Sequence, residues 1–371
     1  MEFHLGKFAE SLPGGIAGTL ANSFDRNRLC AERTGMNDDP AVEERRTFLK
    51  KLALLAAGMA LVPSQLRAEE KSTGTVPRRK LGRHDLTVST MALGGHALRL
   101  ASDEEAQRMV DTALDIGVDF FDNAWDYHEG KSEELMGRCL KGKRDRAFLM
   151  TKVCTHDKGG RKEALAMLEQ SLQRLGTDHL DLWQVHALST QEQVTRAFGP
   201  GGVMEAVEEA RKQGKVRFVG FTGHTDPEVH LAMLSHGFAF DTCQMPVSAI
   251  EANSNAFVRR VLPEVLKQKI APLAMKTLGG NGKPVRDKVF SVQEGLGYAL
   301  THPIATIISG VTSVKELEEN AAVVSSFRAL SAEELVALEK RCQTATESNE
   351  YQPYRKWMSY RDGDAIMENY V

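Results

Sequence analysis

The chain has 371 residues, 42% of them hydrophobic and 26% charged, with a formal net charge of −3. This composition excludes a disordered or collagen-like polymer, and the small net charge gives no electrostatic reason to expect nucleic acid or an anionic membrane as a partner. Although the chain is longer than an average domain, an α/β barrel of about 250 residues counts as one. Cys30, Cys139, Cys154, Cys243 and Cys342 show no C-x-x-C and no metal-ligand spacing, and Cys154 and Cys243 read as small buried apolar residues on strands.

Residues 1–44 are polar and lack sustained periodicity, so they read as a disordered or over-called N-terminal extension. In 45–68 a charged start is followed by the apolar run Leu52–Val62, then Pro63 and a small residue, Ala68. That describes an export signal rather than a membrane span, which needs about 20 apolar residues. Arg45-Arg46-x-Phe48-Leu49-Lys50 is similar to the twin-arginine signal, although Leu66 fits poorly just before a cleavage at Ala68. Met36 stands at the ordinary distance ahead of the arginines, so residues 1–35 are expected to be an over-called start. The expected partner of the precursor is the twin-arginine export machinery. The expected location is periplasmic, or cytoplasmic where the signal is not used, with no permanent membrane span. Residues 69–78 read as a linker.

The folded part is expected over 79–330. R-K-L-G-R-H-D-L-T-V-S, from Arg79, reads as a hairpin, and T-M-A-L-G-G-H as the first strand. Ser102 and Glu105 form a capping-box pattern ahead of Ala106, Met109, Val110, Ala113 and Leu114 at helical spacing. Leu165, Leu168, Leu172 and Leu175 mark a further helix face, as do Val203, Ala206, Val207 and Ala210, and then Val258, Val261, Leu262, Val265 and Leu266. Between them lie the apolar strands V-R-F-V-G-F-T, F-D-T-C-Q-M-P, I-A-P-L-A-M-K and P-I-A-T-I-I-S-G. Eight short strands alternating with amphipathic helices imply a closed parallel (β/α)8 barrel. A doubly wound sheet would want a G-x-G-x-x-G turn after its first strand, and none exists here. The phosphate-loop lookalike L-G-G-N-G-K has Pro284 where Ser or Thr must hold magnesium. Residues 331–371 are read as a helix capped by Ser331 and Glu334, then an aromatic and basic tail packing on the barrel.

Chemistry concentrates at strand ends. V-D-F-F-D-N-A-W-D-Y-H-E-G places Asp122 at the end of the second strand with Tyr127 on the loop beyond it. A buried carboxylate beside a phenol needs a cation, and Lys152 ends the third strand in A-F-L-M-T-K-V. His186 ends the fourth, in H-L-D-L-W-Q-V-H. Together these residues resemble the tetrad of the aldo-keto reductases, Asp and Tyr in D-x-A-x-x-Y followed by Lys and His at the next two strand ends. The resemblance runs from about Arg79 to Leu330.

This resemblance implies that the hairpin plugs the N-terminal end of the barrel and that NADPH, with NADH as a second option, binds along the later strands. It implies catalytic roles for Asp122, Tyr127, Lys152 and His186, with Tyr127 as general acid and base. Cofactor contacts carried over are Thr222, Gly223, Gln244, Lys276, Leu278, Gly280, Gly310, Thr312, Glu316, Glu319 and Asn320. Thr222-Gly223 replaces the family's usual Ser-Asn, Val247 stands where an aromatic often stacks on nicotinamide, and Thr312 replaces an arginine that often holds the 2′-phosphate. Trp125, His128 and Trp357 are candidates for the substrate pocket. His224, His230 and His236 recur every six residues, which is neither a strand nor a helix ligand spacing, so no metal is expected. The expected function is hydride transfer between nicotinamide and a small aldehyde or ketone, or the reverse alcohol oxidation. The alternative is a nucleotide-bound barrel acting as a binding or redox-sensing module with negligible turnover.

Overall fold

A computed structural model of the chain describes residues 76–155, 159–252, 255–346 and 350–356. The signal segment and the extension before it lie outside the described residues, as does Trp357. The first two strands, β1 (Arg78–Lys80) and β2 (Thr87–Ser89), pair antiparallel with Arg79 opposite Val88.

Eight strands then close into a barrel: β3 (Met91–Gly94), β4 (Phe120–Asp122), β5 (Phe148–Val153), β6 (Leu180–Val185), β7 (Val216–Thr222), β8 (Thr242–Pro246), β9 (Ala271–Met275) and β10 (Thr306–Ser309). Every neighbour is parallel, and β10 pairs with both β9 and β3. Strands covered on both faces read as continuous apolar runs, which is why β3, β4, β5, β6, β8 and β9 are buried along their whole length. Inside, Phe120 stacks on Phe148 at 4.6 Å, and Met150, Leu182, Phe218 and Leu273 complete the same cluster. Leu81 and Val88 of the hairpin join that cluster beside the first residues of β4 and β5, so the hairpin closes the N-terminal end. The chemistry is thereby confined to the opposite end.

Two local readings change. Ser102 does accept from the backbone of Glu105, but the Glu105 carboxylate does not close the box. It accepts instead from the Val314 N–H at 2.8 Å, tying the helix Asp103–Asp115 to the start of the helix Val314–Ser325. The helix expected over Val258–Leu266 is split into Phe257–Arg260 and Leu262–Lys267, because Pro263 opens the second piece and cannot donate into the first. The capping box at Ser331 and Glu334 forms in both directions and starts the helix Ala332–Thr346.

Beyond that helix, Glu350–Lys356 folds back on the barrel. Tyr354 is fully buried and donates to Glu251 at 2.9 Å, while Arg355 pairs with the same carboxylate at 3.2 Å. No helix among the described residues is long and apolar enough to cross a membrane.

Candidate active site

Asp122 closes β4, Lys152 lies on β5 and His186 follows β6 directly, so parallel pairing in register brings the three to one rim of the barrel. Both members of the ion pair are withdrawn from water, Lys152 at 1% and Asp122 at 2% exposure, with Nζ donating to Asp122 Oδ1 at 2.7 Å. Two isolated charges there would be costly, and the remaining contacts compensate them. Lys152 also donates to the Asn123 carbonyl at 2.6 Å and to the Tyr127 hydroxyl at 3.3 Å, and Gln244 Nε2 donates to Asp122 Oδ2 at 3.1 Å.

The loop carrying Tyr127 is anchored by Trp125 N–H on the Lys152 carbonyl and leaves through His128, Glu129 and Gly130, all at positive φ. Gly130 is held at φ 89, a left-handed geometry that a side chain would strain, so glycine suits this turn. The rings of Tyr127 and His186 meet edge to face at 5.7 Å.

These four residues line one wall of a cleft of about 610 Å³. Its other walls include Thr222, Gln244, Lys276, Leu278, Gly280, Gly310, Thr312, Glu316, Glu319 and Asn320. Gly223 is not part of that wall; its Cα faces the Leu188 carbonyl and the His230 ring, and His224 lines the cleft instead. Trp125 and His128 also lie off the cleft. Trp125 donates to Gln170 and stacks on Arg174, and His128 packs behind His96. Trp183 is buried in the core. Val247 is buried in the core as well.

The residues fit a nicotinamide dinucleotide. Gln244 Oε1 is buried with no partner, which is unfavourable unless a ligand amide supplies a donor. Gly280, at positive φ against the Tyr354 ring, keeps the loop backbone close to the cleft. Removal from water, and then the charge on Lys152, push the Lys276 ammonium down to about 8. Its backbone is held at φ 57, a strained geometry for a lysine that the surrounding loop over-determines.

The sequence reading missed three groups that structure brings to this rim. His96, just after β3, lines the cleft and meets the Tyr127 ring edge at 5.5 Å. Burial, reinforced by His128, pushes it down to about 3, so it is a neutral imidazole at pH 7. Burial likewise holds His224 well below the ordinary histidine value. Asp126, beside Tyr127, reaches His186 Nδ1 at 3.4 Å. The G-G-H following the first strand was the only signal for His96, and a lone histidine on an apolar stretch is weak.

A closed eight-stranded barrel with a paired Asp and Lys beside a Tyr and a His at its C-terminal rim is the arrangement of a carbonyl oxidoreductase. The sequence model of the Aldo/keto reductase family matches residues 85–287, and the chain belongs to that family. It is 25% identical to the uncharacterized oxidoreductase YqkF of Bacillus subtilis, over 75% of this chain and 99% of that one. It is 26% identical to the methylglyoxal reductase YeaE of Escherichia coli, over 68% of this chain and 91% of that one. The holo form of the aldo-keto reductase AKR11C1 from Bacillus halodurans shares the fold, with a TM-score of 0.60 and 22% identity over 75% of this chain and 99% of that one. The chain is thus an oxidoreductase that uses a nicotinamide cofactor to interconvert a carbonyl and an alcohol.

Proposed function

We propose that Tyr127 is the general acid for carbonyl reduction and the general base for the reverse reaction, and that Lys152, Asp122 and His186 support it. When bound, the nicotinamide supplies the hydride, which no side chain can provide. As charge develops on the substrate oxygen, Tyr127 delivers a proton to it from its hydroxyl. Lys152 Nζ, 3.3 Å away, stabilises the negative charge left on the phenolic oxygen. Asp122 holds that ammonium in place, and His186 orients the carbonyl oxygen from the adjacent strand end. The observation that carries the reading is the single ammonium shared by a buried carboxylate and a phenol at 2.7 and 3.3 Å. Tyr127→Phe should lower kcat by about 10² to 10⁴ while leaving fold and dinucleotide binding intact. A variant that keeps its rate would remove Tyr127 from the reaction.

The choice of cofactor turns on the adenosine end of the cleft, where Thr312 to Asn320 would hold the ribose and adenine. Resemblance led to an expectation of NADPH, and one relative, the aldo-keto reductase yakc of Schizosaccharomyces pombe, carries NADP(+) in its name. The charges here favour NADH instead. Thr312 stands in place of a cation, and its N–H and hydroxyl both donate to Glu316, at 2.8 and 3.1 Å. Glu105 caps the adjacent helix start, and Lys315 is paired with Glu319. A 2′-phosphate would meet carboxylates where it needs donors. Of the cations lining the cleft, Lys152 is held by Asp122, and Lys276 and Arg286 follow β9 and suit the pyrophosphate. Fluorescence titration with each dinucleotide tests this, and tighter binding of NADPH would reverse it.

The sequence of 45–68 supports export through the twin-arginine route, which carries folded proteins, and such a protein would leave the cytoplasm with its cofactor bound. Replacing Arg45 and Arg46 by lysine should hold the precursor in the cytoplasm on fractionation. Unchanged export would sink the assignment.

A further inference from the structure

We propose that Asp126, Cys154 and His186 form a site for one divalent transition metal of the zinc type, whose occupation silences the enzyme. The three ligands stand on three adjacent rim positions. Cys154 follows β5 and His186 follows β6, held side by side by Val153 opposite Val185 and by His186 N–H on the Val153 carbonyl at 2.9 Å. Asp126 lies on the loop after β4, fixed on either side by the Trp125 and Tyr127 backbone bonds to Lys152 and Ala124. No sequence spacing could announce this site, because each ligand comes from a different strand end.

The two spacings from His186 suit a tetrahedral ion. Zinc bonds of roughly 2.0 Å to nitrogen and oxygen and 2.3 Å to sulfur place ligand atoms about 3.3 to 3.6 Å apart. Here Cys154 Sγ lies 3.2 Å and Asp126 Oδ1 3.4 Å from His186 Nδ1, and all three ligand atoms lie within 4.8 Å of one another. One thiolate, one imidazole and one carboxylate select zinc, cobalt or copper over magnesium or calcium, and three protein ligands leave a fourth position for water. Cys154 and His186 are each 7% exposed, so the site is nearly dry on two sides.

Burial holds the Cys154 thiol well above its ordinary value, so it is protonated without metal. Binding therefore releases that proton to solvent, and the thiolate and Asp126 together balance the ion's two charges. The competing account of the same distances is a hydrogen-bonded Cys–His–Asp cluster that binds nothing.

Metal uptake does not depend on the catalytic reading, but its consequence for turnover does. An ion on Nδ1 fixes the charge and rotation of the imidazole that is assigned to the substrate oxygen. Cobalt(II) is the probe. Titrating the full chain in chelator-treated buffer should give a thiolate-to-cobalt charge-transfer band that saturates at about one ion per chain and is displaced by zinc. Cys154→Ser should abolish the band, and Asp126→Asn should weaken binding by tenfold or more. Zinc at saturation should cut the rate of the native enzyme at least tenfold and leave Cys154→Ser, relative to its own metal-free rate, unaffected. Absence of the band, or a band unchanged in Cys154→Ser, overturns the site. Metal binding at full activity would leave the site standing but overturn its coupling to turnover, and with it the role given to His186.

Discussion

Replacing Lys152 by methionine keeps most of the side-chain volume and removes the one charge that the rim is built around. Lys152 and Asp122 are 1% and 2% exposed, so neither can turn to water when its partner goes. The substitution withdraws the Asp122 contact at 2.7 Å and the Asn123 carbonyl contact at 2.6 Å, leaving Asp122 with the Gln244 amide at 3.1 Å. Breaking a buried pair from one side costs about 3 to 5 kcal/mol, chiefly through the stranded charge. Because the penalty belongs to that charge, Asp122→Asn in the same chain should recover at least about 1.5 kcal/mol of it. Guanidinium unfolding of the native chain, both single variants and the double variant closes the cycle. A Lys152→Met variant within about 0.5 kcal/mol of native, or a double variant no more stable than Lys152→Met, would refute the claim that these charges depend on each other.

Glu316→Gln removes the carboxylate that occupies Thr312, and should shift the ratio of NADH to NADPH dissociation constants toward NADPH by about five- to thirtyfold, from roughly 1 to 2 kcal/mol of lost repulsion. An unchanged ratio would place the 2′ group elsewhere. The pH dependence of dinucleotide binding follows from Lys276. Its ammonium is the form that attracts phosphate and is lost as pH rises through about 8, so affinity should fall on the alkaline side by about tenfold, and Lys276→Met should flatten that profile. Tyr354→Ala opens a cavity beneath Gly280, and should cost roughly 3 to 5 kcal/mol of stability while speeding dinucleotide release in stopped flow.

The barrel was legible because its strands are buried on both faces. Runs such as A-F-L-M-T-K-V and H-L-D-L-W-Q-V-H admit little besides a parallel strand, and the polar residue that ends each run marks the rim. Lys152 could be sought from Asp122 alone, since a buried carboxylate requires a cation. Helix ends were less legible, because a pattern of Ser and Glu three residues apart states which bonds are available and not which are made. Glu105 follows Ser102 and Glu316 follows Ser313 at that spacing, and both send their carboxylates to a different N–H.

Pocket walls were the hardest part, and aromatic identity misled. Trp125 and His128 flank Tyr127 in sequence, yet the left-handed turn His128–Gly130 and the pull of Arg174 and Gln170 carry them off the cleft. His96 takes that place from the short helix after β3. The same geometry divides the cleft electrically. At the nicotinamide end a neutral imidazole, a shared ammonium and an orphaned amide oxygen wait for a ligand whose own charge is small. At the adenosine end carboxylates have taken the donors that a phosphate would need. Resemblance alone leads to an expectation of NADPH, whereas the proposed preference for NADH rests on the hydrogen bonds at Thr312 and Val314. On that proposal, cofactor choice rests on which acceptor holds those donors.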